Sequence, residues 1–207
     1  MSYVNTVLND LKEWYGQGFD EALGRSLSRV MAASNQKSIG IISAHRAIDP
    51  TSSMTPQQQR ERNNQAHKDM AKDIRQAGLG FTHIKGVGQE ETGPSSEPSF
   101  LVGARTNGND KGHLKGVLTK LGTKYGQMGI LHKAHGDPNA KFVHTSKEHL
   151  GKEEDLGQFH ANNSAAQYYS KLKGNRQFSF SKEGLDVVYL RPKDFFIRRD
   201  MLADDGG

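Results

Sequence analysis

The chain has no cysteine in its 207 residues. That removes disulfides, thiolate metal sites and cysteine nucleophiles together. No run of 18 apolar residues occurs, and the N-terminus lacks a charged-then-apolar leader pattern, so a soluble protein without a cleaved signal is expected. Apolar residues are also scarce, at 34% with a mean hydropathy of −0.74. The core must be thin, or some segments must lie outside it. Charge of one sign is in short supply too: 28 basic residues against 23 acidic give only +5. A pI near 9.3 permits contact with a polyanion, yet the excess is modest for a dedicated nucleic-acid binder. Walker, nucleophile-elbow and His-Glu-x-x-His motifs are missing, and Gly86-Val87-Gly88 has no following helix with a third glycine to make a dinucleotide fingerprint.

The best-specified stretch is Glu97 to Leu131. Ser99 to Ala104 is a short apolar run after Pro98, which suits a buried strand. A polar loop from Arg105 to Asp110 leads into Leu114, Val117, Leu118, Leu121 and Tyr125, which recur on one helical face. Gly126 sits where a helix C-cap is expected, and Met128 to Leu131 opens another apolar run. Strand, helix and strand in that length suggest a βαβ unit. Gly112, Gly116 and Gly122 make the helix dependent on packing rather than propensity.

Around this unit the periodicity predicts helices at 3–15 and from Asp20 to Ala33, and a strand from Ser38 to Ala44. A helix from Thr55 to Ala77 opens with a capping box (Thr55, Gln58) and Pro56 at its first position. A strand from Phe81 to Val87 is followed by a loop from Gly88 to Ser96. Met128–His132 and Lys141–Thr145 form a hairpin around Gly136–Asn139. Ser146 to Asn162 reads as irregular, and Tyr168, Tyr169 and Leu172 as a short helix closed by Gly174. Two last strands fall at Gln177–Ser181 and Val187–Leu190. The expected fold is α/β or α+β: a mixed sheet of five or six strands covered by two or three helices. An N-terminal helical extension (1–36), one core domain (37–190) and a C-terminal tail (191–207) complete the division.

Several pieces resemble an uncharacterised family, DUF3293, and related small proteins of tailed bacteriophages. They are the strand "IGIISA", the helix opening "TPQQ", then "GLGF", "EPSFLVG" and "LGTKYGQMGIL". The resemblance runs over about residues 38–145, with a phage-type extension through Gly174, and it implies a phage or bacterial source.

The candidate site is an anion-binding cluster. His45 and Arg46 close the first strand, Arg105 follows the third with Lys111 beyond it, and His132 and Lys133 end the fourth. If these strands run parallel, their carboxyl ends gather near the N-terminus of the central helix, where anions bind. Glu97 and Gln127 are its polar partners, with Glu97 as a general base or, more simply, as an ion-pair partner of Arg46 or Arg105. His144-Thr145-Ser146 matches half of a two-histidine phosphoesterase pattern, but His83-Ile84-Lys85 lacks the second hydroxyl. Nine histidines, with His132 and His135 three apart, do not reach a metal-ligand spacing. Tyr168, Tyr169, Lys171, Lys173 and Arg176 mix aromatics with cations in the manner of a nucleic-acid surface, though a core-facing helix accounts for them as well.

The functional expectation from these features is a phage-encoded, non-enzymatic binding protein with no cofactor, metal or catalytic residue. It is placed in the virion or the host cytoplasm. Its partners are other phage or host proteins, met through the N-terminal helices, with nucleic acid as a further partner. The alternative is an enzyme or sensor that handles a phosphorylated small molecule or nucleic acid through the basic strand-end cluster.

Overall fold

The structure is a computed structural model, and it describes residues 27–49, 51–90, 93–161, 168–172 and 176–181. In chain order the elements are α1 (Leu27–Gln36), β1 (Ile39–Ser43), α2 (Pro56–Gln76), β2 (Gly80–Glu90) and β3 (Gly93–Gly103). There follow α3 (His113–Lys124), β4 (Gly129–Lys133), β5 (Asn139–His144), β6 (Glu153–Ala161), β7 (Tyr168–Leu172) and β8 (Arg176–Ser181). The eight strands close into one antiparallel barrel in the order β1-β3-β2-β7-β8-β6-β5-β4.

Closure overturns the expected open sheet of five or six strands. The missing strands are β6, in the stretch read as irregular, and β7, where a short helix was expected. β6 hides its period of two behind a register shift opposite Ala140 and Lys141. Leu156 and Phe159 are therefore not in simple alternation along it. The loop expected from Gly88 to Ser96 is instead mostly the paired continuation of β2 and β3, in register from Gly80↔Gly103 to Glu90↔Gly93. The expected helix at 3–15 and strand at Val187–Leu190 lie outside the described residues. Among the described residues no helix is long and apolar enough to cross a membrane.

The βαβ unit is present in sequence but not as neighbours in the sheet. β3 and β4 both pair antiparallel with β1, so they run the same way with β1 between them. Helix α3 crosses over that middle strand, and Gly40 makes room for it: a Cβ there would strike the Leu118 side chain. Helix α2 starts as its sequence predicts, with the Thr55 side chain and Gln58 forming a reciprocal capping box behind Pro56.

Alternation along the strands divides the apolar residues into two sets. Ile42, Phe81, Phe100, Val102, Ile130 and Val143 face the helices and pack with Met70, Ile74, Leu114 and Leu118. Ile39, Ile84, Leu101 and Phe178, with Ile41, Phe159 and Phe180 beside them, fill the barrel. An eight-stranded barrel has room inside for little more than side chains. This explains how a chain poor in apolar residues still closes: among the described residues, the interior set and one helix-covered wall take most of them. α1 lies at the end where β1 begins, and its Ser34 carbonyl accepts a 2.8 Å hydrogen bond from the buried Lys133 Nζ.

Candidate functional site

The opposite end of the barrel, where β1 finishes, holds a cavity of about 710 Å³. Its wall is built by register. Glu97 pairs with Gly86, Gly86 with Ser170, and Ser170 with Phe178, so these four share one row of the inner face. Ser43 and Ser99 pair in the neighbouring row. A Cβ at residue 86 would crowd the Ser99 hydroxyl at 3.3 Å and come into ordinary contact with the Glu97 Cγ at 3.5 Å. Phe142, Leu131, Leu156 and Phe180 complete the apolar wall, and His45, Arg46, Arg60 and Gln127 line the rim.

Glu97 is half-buried, and burial pushes its carboxyl up to about 7. The Ser43 hydroxyl, which donates to the Pro98 carbonyl at 3.0 Å, pulls the other way as the smaller cause. Among the described residues Glu97 forms no salt bridge. The site thus holds a carboxylate whose charge is poised near neutrality in an apolar wall, which is where burial-shifted acids do chemistry or meet cations.

The rim is fixed by polar side chains of α2 and by the end of α3. Asn63 brackets residue 46: its Oδ1 accepts from the Arg46 N–H at 3.3 Å and its Nδ2 donates to the Arg46 carbonyl at 2.8 Å. Gln59 does the same for the following loop, accepting from the Asp49 N–H at 2.7 Å and donating to the Asp49 and Met54 carbonyls. Helix α3 ends in a Schellman motif: Gly126, at φ 63°, donates to Thr123 O, and the Gln127 N–H donates to Gly122 O. That turn aims the Gln127 amide at the His45 carbonyl, 3.0 Å away. It also leaves the Tyr125 carbonyl free to accept two hydrogen bonds from the Arg46 guanidinium, at 3.2 and 3.1 Å. Tyr125 is tied down in turn by its hydroxyl, which donates to Asp73 at 2.6 Å.

Of the residues in the expected anion cluster, the structure brings His45 and Arg46 to this mouth beside Glu97 and Gln127. Arg105 and Lys133 lie at the other end of the barrel, around the Ile39 level of β1. The reason is strand direction. β1 is antiparallel to β3 and β4, so its carboxyl end and theirs point to opposite mouths. Lys111 is in the turn before α3, at φ 53°. His132 is buried on the helix-facing side near Asp110, and burial lowers its pKa. His144 pairs with Glu154 at 2.9 Å, whereas His83 is on the outer, helix-covered face against His67 and Phe100. The two therefore do not form a phosphoesterase pair. Among the described residues no three metal-ligating side chains cluster.

The sequence reading missed Gln59, Asn63 and His67, all buried on α2. Their signal was their spacing. They continue the Met70–Ile74 stripe toward the N-terminus at helical intervals of three and four, so a polar face there was a buried one.

At one mouth of this small antiparallel barrel an aromatic-walled cavity thus holds one carboxyl, Glu97, and two arginines, Arg46 and Arg60. The family model described as the S-adenosylmethionine lyase family matches residues 51–181, more than half of the chain. The chain belongs to that family. This replaces the resemblance to DUF3293 and the phage proteins, and it overturns the expectation of a non-enzymatic binding protein. No curated protein matches the chain.

Proposed function

We propose that the chain is an enzyme that cleaves S-adenosylmethionine at its sulfonium centre, in the cavity that contains Glu97. The observation that carries the reading is the buried Glu97 carboxyl, held near 7 by its apolar surroundings in a cavity with aromatic walls. The substrate class demands such a combination. It carries an aromatic base, a fixed positive charge on sulfur that no proton can remove, and an amino-acid carboxylate. Phe142, Phe178 and Phe180 offer apolar and π surface to the base. Glu97 as a carboxylate neutralises the sulfonium on binding, and the rim arginines Arg46 and Arg60 face the substrate carboxylate. A volume of about 710 Å³ is in the range that encloses a ligand of this size.

In a lyase reaction no water is added. The carbon–sulfur bond breaks with its electron pair going to sulfur, the sulfonium becomes a neutral thioether, and the replacing pair comes from elsewhere in the same substrate. Loss of the positive charge then weakens the attraction to Glu97 and favours release of the thioether.

The test is to incubate the purified chain with S-adenosylmethionine in isotopically labelled water and follow substrate and products by mass spectrometry. Substrate loss with formation of a thioether fragment and no label in the initial products is expected, and Glu97→Gln should lose on the order of 10²-fold or more in kcat/KM. No turnover by the unsubstituted chain, or label entering at the broken bond, overturns the proposal.

A further inference from the structure

The other mouth of the barrel carries a second cavity, of about 300 Å³, lined by cations and no carboxyl. Its walls are apolar, from Ile39, Leu79, Phe81 and Leu101, and Thr82 adds a hydroxyl. Two cations, Lys37 and Arg105, stand on it. No acidic residue is among its lining residues, and neither cation has an acidic partner among the described residues.

The main chain that carries both cations is tied into the fold. Lys37 directly follows α1, with its N–H on the Ala33 carbonyl at 2.9 Å, and it pairs with Gly108. Its stem lies across Gly103, where a Cβ would sit 3.4 Å from Lys37 Cε and 3.6 Å from Nζ. Arg105 follows Ala104, whose N–H donates to the Ser38 carbonyl at 2.9 Å. Its guanidinium reaches the turn at Gly78, with Nη1 3.9 Å from the place of a Cβ there. Two cationic donors beside a small apolar hollow match one ligand chemistry, an anionic head on a short apolar body.

We propose that this cavity is a binding site for a small organic monocarboxylate, with Lys37 and Arg105 on the carboxylate and the Ile39–Leu101 wall on its apolar body. It is separate from the Glu97 cavity, and the interior side chains from Ile39 to Phe180 fill the barrel between them. It does not rest on the activity proposed above.

Calorimetric titration of the full chain with hexanoate tests it, with hexanol and inorganic phosphate as controls. Hexanoate should bind saturably at one site, and hexanol should give no binding. Lys37→Met and Arg105→Met, which keep the length of the stems, should each weaken hexanoate about tenfold, the usual result of losing one charged hydrogen bond. Glu97→Gln should leave this binding unchanged. Absence of hexanoate binding overturns the proposal, as does binding that survives the double variant. Phosphate binding as tightly as hexanoate also overturns it, because the apolar wall would then contribute nothing.

Discussion

The Arg46 guanidinium occupies the space that a side chain on Gly126 would fill. This one contact joins the end of β1 to the end of α3 and so sets the shape of the Glu97 mouth. Gly126 is needed twice, for its left-handed φ of 63° and for its missing Cβ. Gly126→Ala should therefore cost about 1–2 kcal/mol in left-handed strain and, in addition, push Arg46 off the Tyr125 carbonyl. Denaturant midpoints and kcat/KM measured on the same variant separate the two effects. Activity should fall further than strain alone predicts, and Arg46→Ala should already have lost that same part of the activity. An equal drop for Gly126→Ala in both backgrounds would show that the contact has no functional weight.

Asn63 is the second support of the rim, buried on α2 with both ends of its amide used by Arg46. Asn63→Ala takes the partner from the Arg46 N–H and carbonyl at a part-buried position, where each unsatisfied group costs up to about 1–3 kcal/mol. The loss of stability should exceed that of Asn64→Ala, its exposed neighbour. Hydrogen exchange of the amides from His45 to Asp49 should speed up in the variant. Exchange that stays at the original rate would mean that the loop is held by Gln59 alone.

How much of this was legible beforehand depended on whether a signal was local. The α2 capping box, the α3 face and the glycine after its last turn are written within a few residues of one another, and all three are in the structure. Barrel closure is not local. β6 and β7 have polar outward residues and one register slip, so only pairing with distant strands identifies them. The site divided along the same line. His45, Arg46, Glu97 and Gln127 meet because β1 and β3 are antiparallel neighbours. The same antiparallel pairing sends Arg105 and Lys133 to the other mouth. Strand direction is a tertiary fact, and no residue at a strand end encodes it.

Glu97 should be destabilising at the pH where it is useful. Its folded value near 7 lies above the ordinary 4.5, so the folded chain binds this proton more tightly than the unfolded one. That contribution is fully present below about 4.5 and is lost as pH rises through 7. At about 1.4 kcal/mol per unit, Glu97→Gln should gain stability at pH 8, by up to about 3 kcal/mol, while losing activity. Unfolding curves of both proteins at pH 5 and pH 8 test this, and a variant less stable than the original at pH 8 would contradict the burial argument. Activity of the unsubstituted protein should rise with pH through about 7 as the carboxylate forms.

The histidines packed under α2 act with the opposite sign. His67 stacks on Phe100 at 4.1 Å between ring centroids and approaches His83 at 3.4 Å and the His45 ring at 5.7 Å. Burial, with the nearby histidines as a smaller cause, lowers His67 to about 3, and burial lowers His83 to about 4. Both are below the unfolded 6.5, so their contribution is present above about 6.5 and is lost as pH falls toward those values, because the unfolded chain takes up protons that the folded one refuses. Between pH 6.5 and 4.5 these two histidines, with His45 and His132 lowered in the same direction by burial, oppose one carboxyl, Glu97, whose proton favours the fold. The histidines prevail, and the protein should lose stability on acidification with a net slope of at least that of a single group, about 1.4 kcal/mol per pH unit. His67→Phe keeps a ring against Phe100 and removes one of these histidines, so its slope should be shallower by about 1.4 kcal/mol per pH unit. In Glu97→Gln the slope should steepen instead, because nothing then offsets the histidines. Chemical unfolding at half-unit steps from pH 4.5 to 7 measures all three proteins. Three parallel slopes would show that neither the buried histidines nor the buried carboxyl governs the acid response of the barrel.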